Sequence, residues 1–230
     1  MLTKVEFDFF TSPTPGVPSI NSPADAEESA KICLPHLLPL LPNHDAFLVA
    51  CYSQHPLVDV LREECSKVMS EAKTPWVRKY VLGIFEASLV AGLSLISDQH
   101  AFGIVSTGKV WEAALDQAVR DFMGAAVTSK PDKFAGCETT GLNATELHEL
   151  PAEQVQAKMM EATKRLLDRG EQEKGVQAIC LGCAGMVGLE ECVRQACIDE
   201  YGLERGKTIS IIDGVKAGVS SLVGLAKSKF

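Results

Sequence analysis

Two cysteines stand where an apolar run breaks on small residues. Ala178-Ile179-Cys180-Leu181-Gly182 leads into Cys183, followed by Ala184, Gly185 and Met186; Phe47-Leu48-Val49-Ala50 leads into Cys51, followed by Tyr52 and Ser53. Both patterns read as a buried strand, a thiol at its end, and a turn into a helix. A helix N-terminus beside a thiol favours the thiolate, because its unpaired N–H groups and partial positive charge attract an anion. Two thiols on opposite sides of one cleft could act as base and acid on one carbon, removing a proton from one face and returning it to the other. Gly182 and Gly185 allow the backbone close to such a substrate, where N–H groups, including that of Ala184, could hold a carbonyl gaining enolate character.

Other readings of the same residues predict less. Cys180 and Cys183 form Cys-x-x-Cys, which suits a redox pair or half a zinc site. No second Cys-x-x-Cys or paired-histidine motif accompanies it, and His36, His44, His100 and His148 have no ligand spacing. No metal is therefore expected. His55 is read as an exposed loop residue. Cys33, Cys65, Cys192 and Cys197 lie on helical patterns as small hydrophobes, and Cys137 as a packed thiol ending a strand.

Strand-like and helix-like segments alternate around these cysteines, which predicts parallel sheets covered by helices. Val5 to Phe9 alternates apolar and acidic residues like a half-buried strand. Ser22-Pro23 followed by Asp25, Glu27 and Glu28 starts a helix. Further strands are expected at 46–50, 80–84, 101–105, 134–137, 178–182 and 208–212. Ligands bind beyond the carboxyl ends of such strands. There the sequence collects Thr11, Ser12, Ser53, Ser106, Thr107, Thr139 and Thr140 as candidate substrate contacts beside Cys51 and Cys183. Glu86 and Asp213 open helices and are read as caps.

The halves repeat each other: Phe9 to Ser12 corresponds to Phe134 to Thr140, Cys51 to Cys183, and Gly83 to Glu86 corresponds to Ile211 to Asp213. The unit from Ala101 to Met123 has no partner in the first half, so the first half is expected to lack an N-terminal strand and helix. The fold class expected is α/β with two pseudosymmetric domains, each a parallel four-stranded sheet flanked by helices, and the active site between them. Residues 1–98 with 207–230 form the first domain and 99–206 the second.

With 230 residues and 46% hydrophobic residues the chain can bury a substantial core. A net charge of −8 without a basic run argues against nucleic acid. No apolar stretch approaches the roughly 20 residues that span a bilayer, so no membrane partner is expected. Eight cysteines without a secretory signal pattern predict reduced thiols and a cytoplasmic location.

The strings Val-Ala-Cys-Tyr-Ser (49–53), Gly-Ile-Phe-Glu-Ala (83–87), Phe-Gly-Ile-Val-Ser-Thr-Gly (102–108) and Leu-Gly-Cys-Ala-Gly-Met (181–186) resemble the hydantoin and allantoin racemase branch of the aspartate/glutamate racemase superfamily. The likeness runs over nearly the whole chain in the same order. It implies cofactor-independent racemisation of a small cyclic ureide, with Cys51 and Cys183 as the cysteine pair, in a homo-oligomer. Two features depart from the family: its opening strand, ending in Asn-Pro-Asn, is not found before Val5, and Gln54 stands where an acid or glycine is usual. The glutamate-type strings Cys-Asn-Thr and Cys-Thr-His are absent. An aspartate or glutamate racemase and a catalytically silent ureide-binding relative are the alternatives.

Overall fold

The structure, a computed structural model, describes residues 4–73, 77–124, 133–171 and 174–229. Among these residues, six strands form two parallel sheets. In the first, β1 (Ala46–Val49) pairs with β2 (Tyr80–Gly83). The second contains β3 (Ala101–Ser106), β4 (Phe134–Thr139), β5 (Val176–Gly182) and β6 (Ser210–Asp213), in the order β4-β3-β5-β6.

The helices are α1 (Pro23–Leu37), α2 (Pro56–Glu71), α3 (Ile84–Leu95), α4 (Val110–Met123), the short α5 (Glu146–Glu149), α6 (Ala152–Glu171), α7 (Glu190–Gly206) and α8 (Gly214–Ser228). Their starts are coded locally. Ser22 Oγ accepts from the Asp25 N–H at 3.2 Å, and Pro23 takes the first helical position, where a missing N–H costs nothing. Asp213 accepts from the N–H groups of Val215 and Lys216, so its role as a cap holds.

The second sheet is buried on both faces, which is why its strands read as nearly unbroken apolar runs. Alternation sorts their side chains: Val105, Ile179 and Leu181 pack with α6 and α7, whereas Phe102, Ile104, Ala178 and Cys180 pack with α3 and α4. A separate core joins Val49 and Val81 to α1 and α2.

Two expectations change here. Val5 to Phe9 belongs to no sheet, and the first sheet has two strands where the four-stranded plan, less its N-terminal strand, leaves three. Its counterpart β4 hydrogen-bonds only to β3, the unit without an equivalent in the first half. Residues 5–9 therefore have the pattern of a strand and no ladder to join, and Phe9 is 94% exposed. Also, β6, expected in the first domain with residues 207–230, pairs with β5 in the second sheet. Only the helix after it crosses back. α8 packs on β1 and β2, while α3, which follows β2, packs on β5 and β6, and the two helices pack on each other. This reciprocal crossing holds the carboxyl ends of β1 and β5 facing one cleft. No helix among the described residues is long and apolar enough to cross a membrane.

Candidate active site

A cleft of about 200 Å³ opens between the ends of β1 and β5, lined by Cys51 and Cys183 together with Ile20, Ala50, Tyr52, Thr107, Trp111, Ala144, Gly182 and Ala184. Both thiols are free. Cys183 caps a short 3₁₀ turn, Ala184–Met186, and its Sγ accepts from the Gly185 N–H at 3.4 Å. Burial raises its pKa, and that N–H opposes the rise. Cys51 lies 3.5 Å from Ser53 Oγ. Burial is the main cause that pushes its pKa up to about 11; Ser53 opposes the shift, and the nearby Cys183 adds to it. The two sulfurs are thus electrostatically coupled across the cleft, and a charge on one disfavours a charge on the other. This repulsion opposes two thiolates at once, so at most one of the two thiols ionises at a time.

The strand ends are tied together at the site. Ser106 Oγ donates to the Gly182 carbonyl at 2.8 Å, joining β3 to β5 one residue before Cys183. The Tyr52 hydroxyl, buried beside Cys51, hydrogen-bonds Ser88 Oγ at 2.7 Å and is not available to a ligand. Cys180, the other half of the Cys-x-x-Cys, lies inside β5 and donates to the Ser88 carbonyl. Its thiol points to the α3 side of the sheet, away from any pairing with Cys183.

The sequence-selected residues divide into four groups. Cys51, Cys183, Thr107, Gly182 and Ala184 line the cleft, and Ser53, Ser106 and Gly185 touch its lining residues without lining it. Thr139 and Thr140 stand apart, on a second cavity at the outer edge of β4. Thr139 Oγ1 donates to Glu112, while Thr140 Oγ1 donates to the Thr107 carbonyl and accepts from the Leu142 N–H. Thr11 is exposed and Ser12 Oγ is buried beside Gly16; neither reaches the cleft. The loop they begin supplies Ile20 instead.

His55 is not an exposed loop residue. It is buried, and its Nδ1 accepts from the Leu57 N–H to cap α2; burial lowers its pKa. Glu86 occupies the first turn of α3, but its buried Oε2 has no hydrogen-bond partner, and burial raises its pKa. Ile20, Ala50, Trp111 and Ala144 are cleft residues that sequence reading did not select. Only Trp111, in the first turn after a strand-end loop, carried a signal: its position one turn beyond Thr107. Outside that lining, His148 packs beside the turn after Cys183: a Cβ on Gly185 would lie 3.1 Å from its Nε2.

Residues 2–222 match the Asp/Glu/Hydantoin racemase family. An uncharacterised protein of Schizosaccharomyces pombe is 33% identical over 97% of this chain and 80% of its own length. Among solved structures, the allantoin racemase of Klebsiella pneumoniae aligns with a TM-score of 0.67 at 22% identity, covering 94% of this chain and 74% of that one. An allantoin racemase of Pseudomonas fluorescens aligns at 0.65 and 24% identity, covering 94% and 76%. These structural likenesses establish a shared two-sheet α/β fold.

Proposed function

This chain belongs to the Asp/Glu/Hydantoin racemase family, and from its cleft we propose that it inverts the C5 stereocentre of a 5-substituted hydantoin or allantoin without a cofactor. The observation that carries the reading is the convergence of the Cys51 and Cys183 thiols on one small cleft from two sheets. The C5 hydrogen of such a ring is flanked by a carbonyl and a nitrogen, so a thiolate removes it with modest help. The thiolate on one face takes the proton and the thiol on the other supplies one, and the two exchange roles when the opposite enantiomer reacts. The Gly185 N–H, already directed at Cys183, stabilises the thiolate when Cys183 is the base.

The cleft favours a neutral ring over an acidic amino acid. No charged side chain is among its lining residues, and an aspartate or glutamate carboxylate buried there would lack a cationic partner. Thr107 offers a hydroxyl near the ring, and Ile20, Trp111 and Ala144 offer apolar contact to its substituent. The reading places a small-molecule reaction in the cytoplasm, carried out by an assembly of identical chains.

The test is the optical rotation of single enantiomers of 5-benzylhydantoin and allantoin, followed with the native protein and with Cys51→Ser and Cys183→Ser. Loss of rotation with native protein and at least a hundredfold slower loss with each variant is the expected result. Full activity in both variants excludes the two-cysteine mechanism. Thermal stabilisation by hydantoins without any loss of rotation would identify a ureide-binding protein.

A further inference from the structure

The second cavity, about 370 Å³, lies at the outer edge of β4 between the start of α4 and the C-terminal turns of α6. Two arginines one turn apart on α6 form one wall. The Arg165 Nε–H donates to Glu138 Oε2 at 2.9 Å, and Arg169 holds the other oxygen of the same carboxylate. Both also donate to β4 carbonyls, of Thr139 and Cys137, so the guanidinium planes are fixed by bonds on one side. Their side chains remain 49% and 41% exposed, which leaves the other side of each available. Across the cavity, Lys109 directly precedes α4, a helix that has no side-chain cap. Glu112, one turn further on, brings a carboxylate to the same space.

Three cations and two carboxylates leave a net charge of +1, with Glu138 already shared by both arginines. A monoanion therefore balances the cavity, with its carboxylate toward Lys109 and the arginines. Glu112 would repel a bare anion but accepts from N–H groups carried beside the carboxylate. We propose that this cavity is a second ligand site, for a small carboxylate that carries neutral N–H donors, a ureido acid. The site is independent of the cleft chemistry, since none of its lining residues lines the cleft. It is nonetheless placed to influence the cleft: the first turn of α4 carries Lys109 and Glu112 to the cavity and Trp111 to the cleft.

Isothermal titration of the native protein with N-carbamoylglycine, the smallest probe with both groups, tests the proposal, with acetate and urea as single-group controls. The expected result is saturable one-site binding of N-carbamoylglycine, at least tenfold weaker binding of acetate, and none of urea. Lys109→Glu reverses the exposed cation without touching the Arg165–Glu138–Arg169 cluster. It should abolish binding and leave the melting temperature and the racemase rate of the unliganded protein unchanged. No saturable binding by the native protein, or equal binding by Lys109→Glu, overturns the proposal. A racemase rate lost or kept in native protein bears only on the cleft.

Discussion

Replacing Gly182 with alanine should damage both stability and chemistry, because this residue sets the distance between β3 and β5 directly before Cys183. A Cβ on Gly182 would lie 2.7 Å from Ser106 Cβ, 2.9 Å from Ser106 Oγ and 2.9 Å from the Val105 carbonyl oxygen. Rotating the Ser106 side chain relieves only the second of these, since the other two atoms are fixed by the backbone. The strands must separate locally, and that strains the 2.8 Å bond from Ser106 Oγ to the Gly182 carbonyl. Overpacking of this kind costs about 1–3 kcal/mol, and in a chain of this size each kcal/mol lowers Tm by roughly 2–4 °C. The expected drop is therefore roughly 2–12 °C. Cys183 moves with the displaced strand end, and a shift of order 1 Å at a reacting group costs about a hundredfold in rate. Differential scanning calorimetry and initial racemisation rates would be measured on Gly182→Ala, Ser106→Gly and the double variant. Removing the Ser106 side chain clears two of the three contacts, so the double variant should melt higher than the sum of the single effects predicts. A Gly182→Ala protein that melts within 1 °C of native, with unchanged kcat/KM, would refute the reasoning.

Other perturbations follow from the same contacts. Because burial raises the pKa of both cleft thiols, the thiolate is the minor form near neutrality and grows with pH; kcat/KM should climb about tenfold per unit between about pH 6 and 8, and a flat profile there would exclude a thiolate base. Stability should run the opposite way. Cys51 and Cys197 are pushed up to about 11 and Cys180 to about 12, so these thiols keep their protons in the folded chain while the unfolded chain releases them above about pH 8.5. The stability they contribute is full below about pH 8.5 and is lost as pH rises toward their folded values, by up to about 1.4 kcal/mol per pH unit for each thiol; urea titrations from pH 8 to 10 check this. Glu86→Gln should raise Tm at pH 7, since the raised pKa of this carboxyl marks a charge that folding disfavours. The gain should shrink toward about pH 4, where the native carboxyl is protonated as well; an unchanged or lowered Tm at pH 7 would show that its charge is satisfied.

The cysteine pair and its strand-end setting were readable because they depend on local pattern: an apolar run, a thiol, and glycines at a close approach. The cap at Asp213 and the start of α1 were readable for the same reason. Residues 5–9 show the limit of such patterns. Alternation of apolar and acidic side chains says that a strand would have two different faces, but a strand also needs a neighbour, and the first half offers none beside this segment. Thr139 and Thr140 were assigned to the substrate because β4 ends level with β3 and β5. The order β4-β3-β5-β6 makes β4 an edge, so its end faces α4, α6 and the second cavity rather than the cleft. His55 looked exposed because it follows a loop; its ring instead turns back to cap α2 and is buried, and burial is a tertiary event that adjacent residues do not encode.

The central claim is that Cys51 and Cys183 act on opposite faces of one carbon. Its most direct test is deuterium uptake at C5 in D₂O, measured by NMR separately for each enantiomer, with native protein, Cys51→Ala and Cys183→Ala. The two-face arrangement predicts that native protein returns the inverted enantiomer carrying deuterium. Each variant should stop inversion, and Cys51→Ala should retain exchange only with the enantiomer whose hydrogen faces Cys183, Cys183→Ala only with the other. Inversion by either variant at the native rate, or exchange of both enantiomers by both variants, would contradict it.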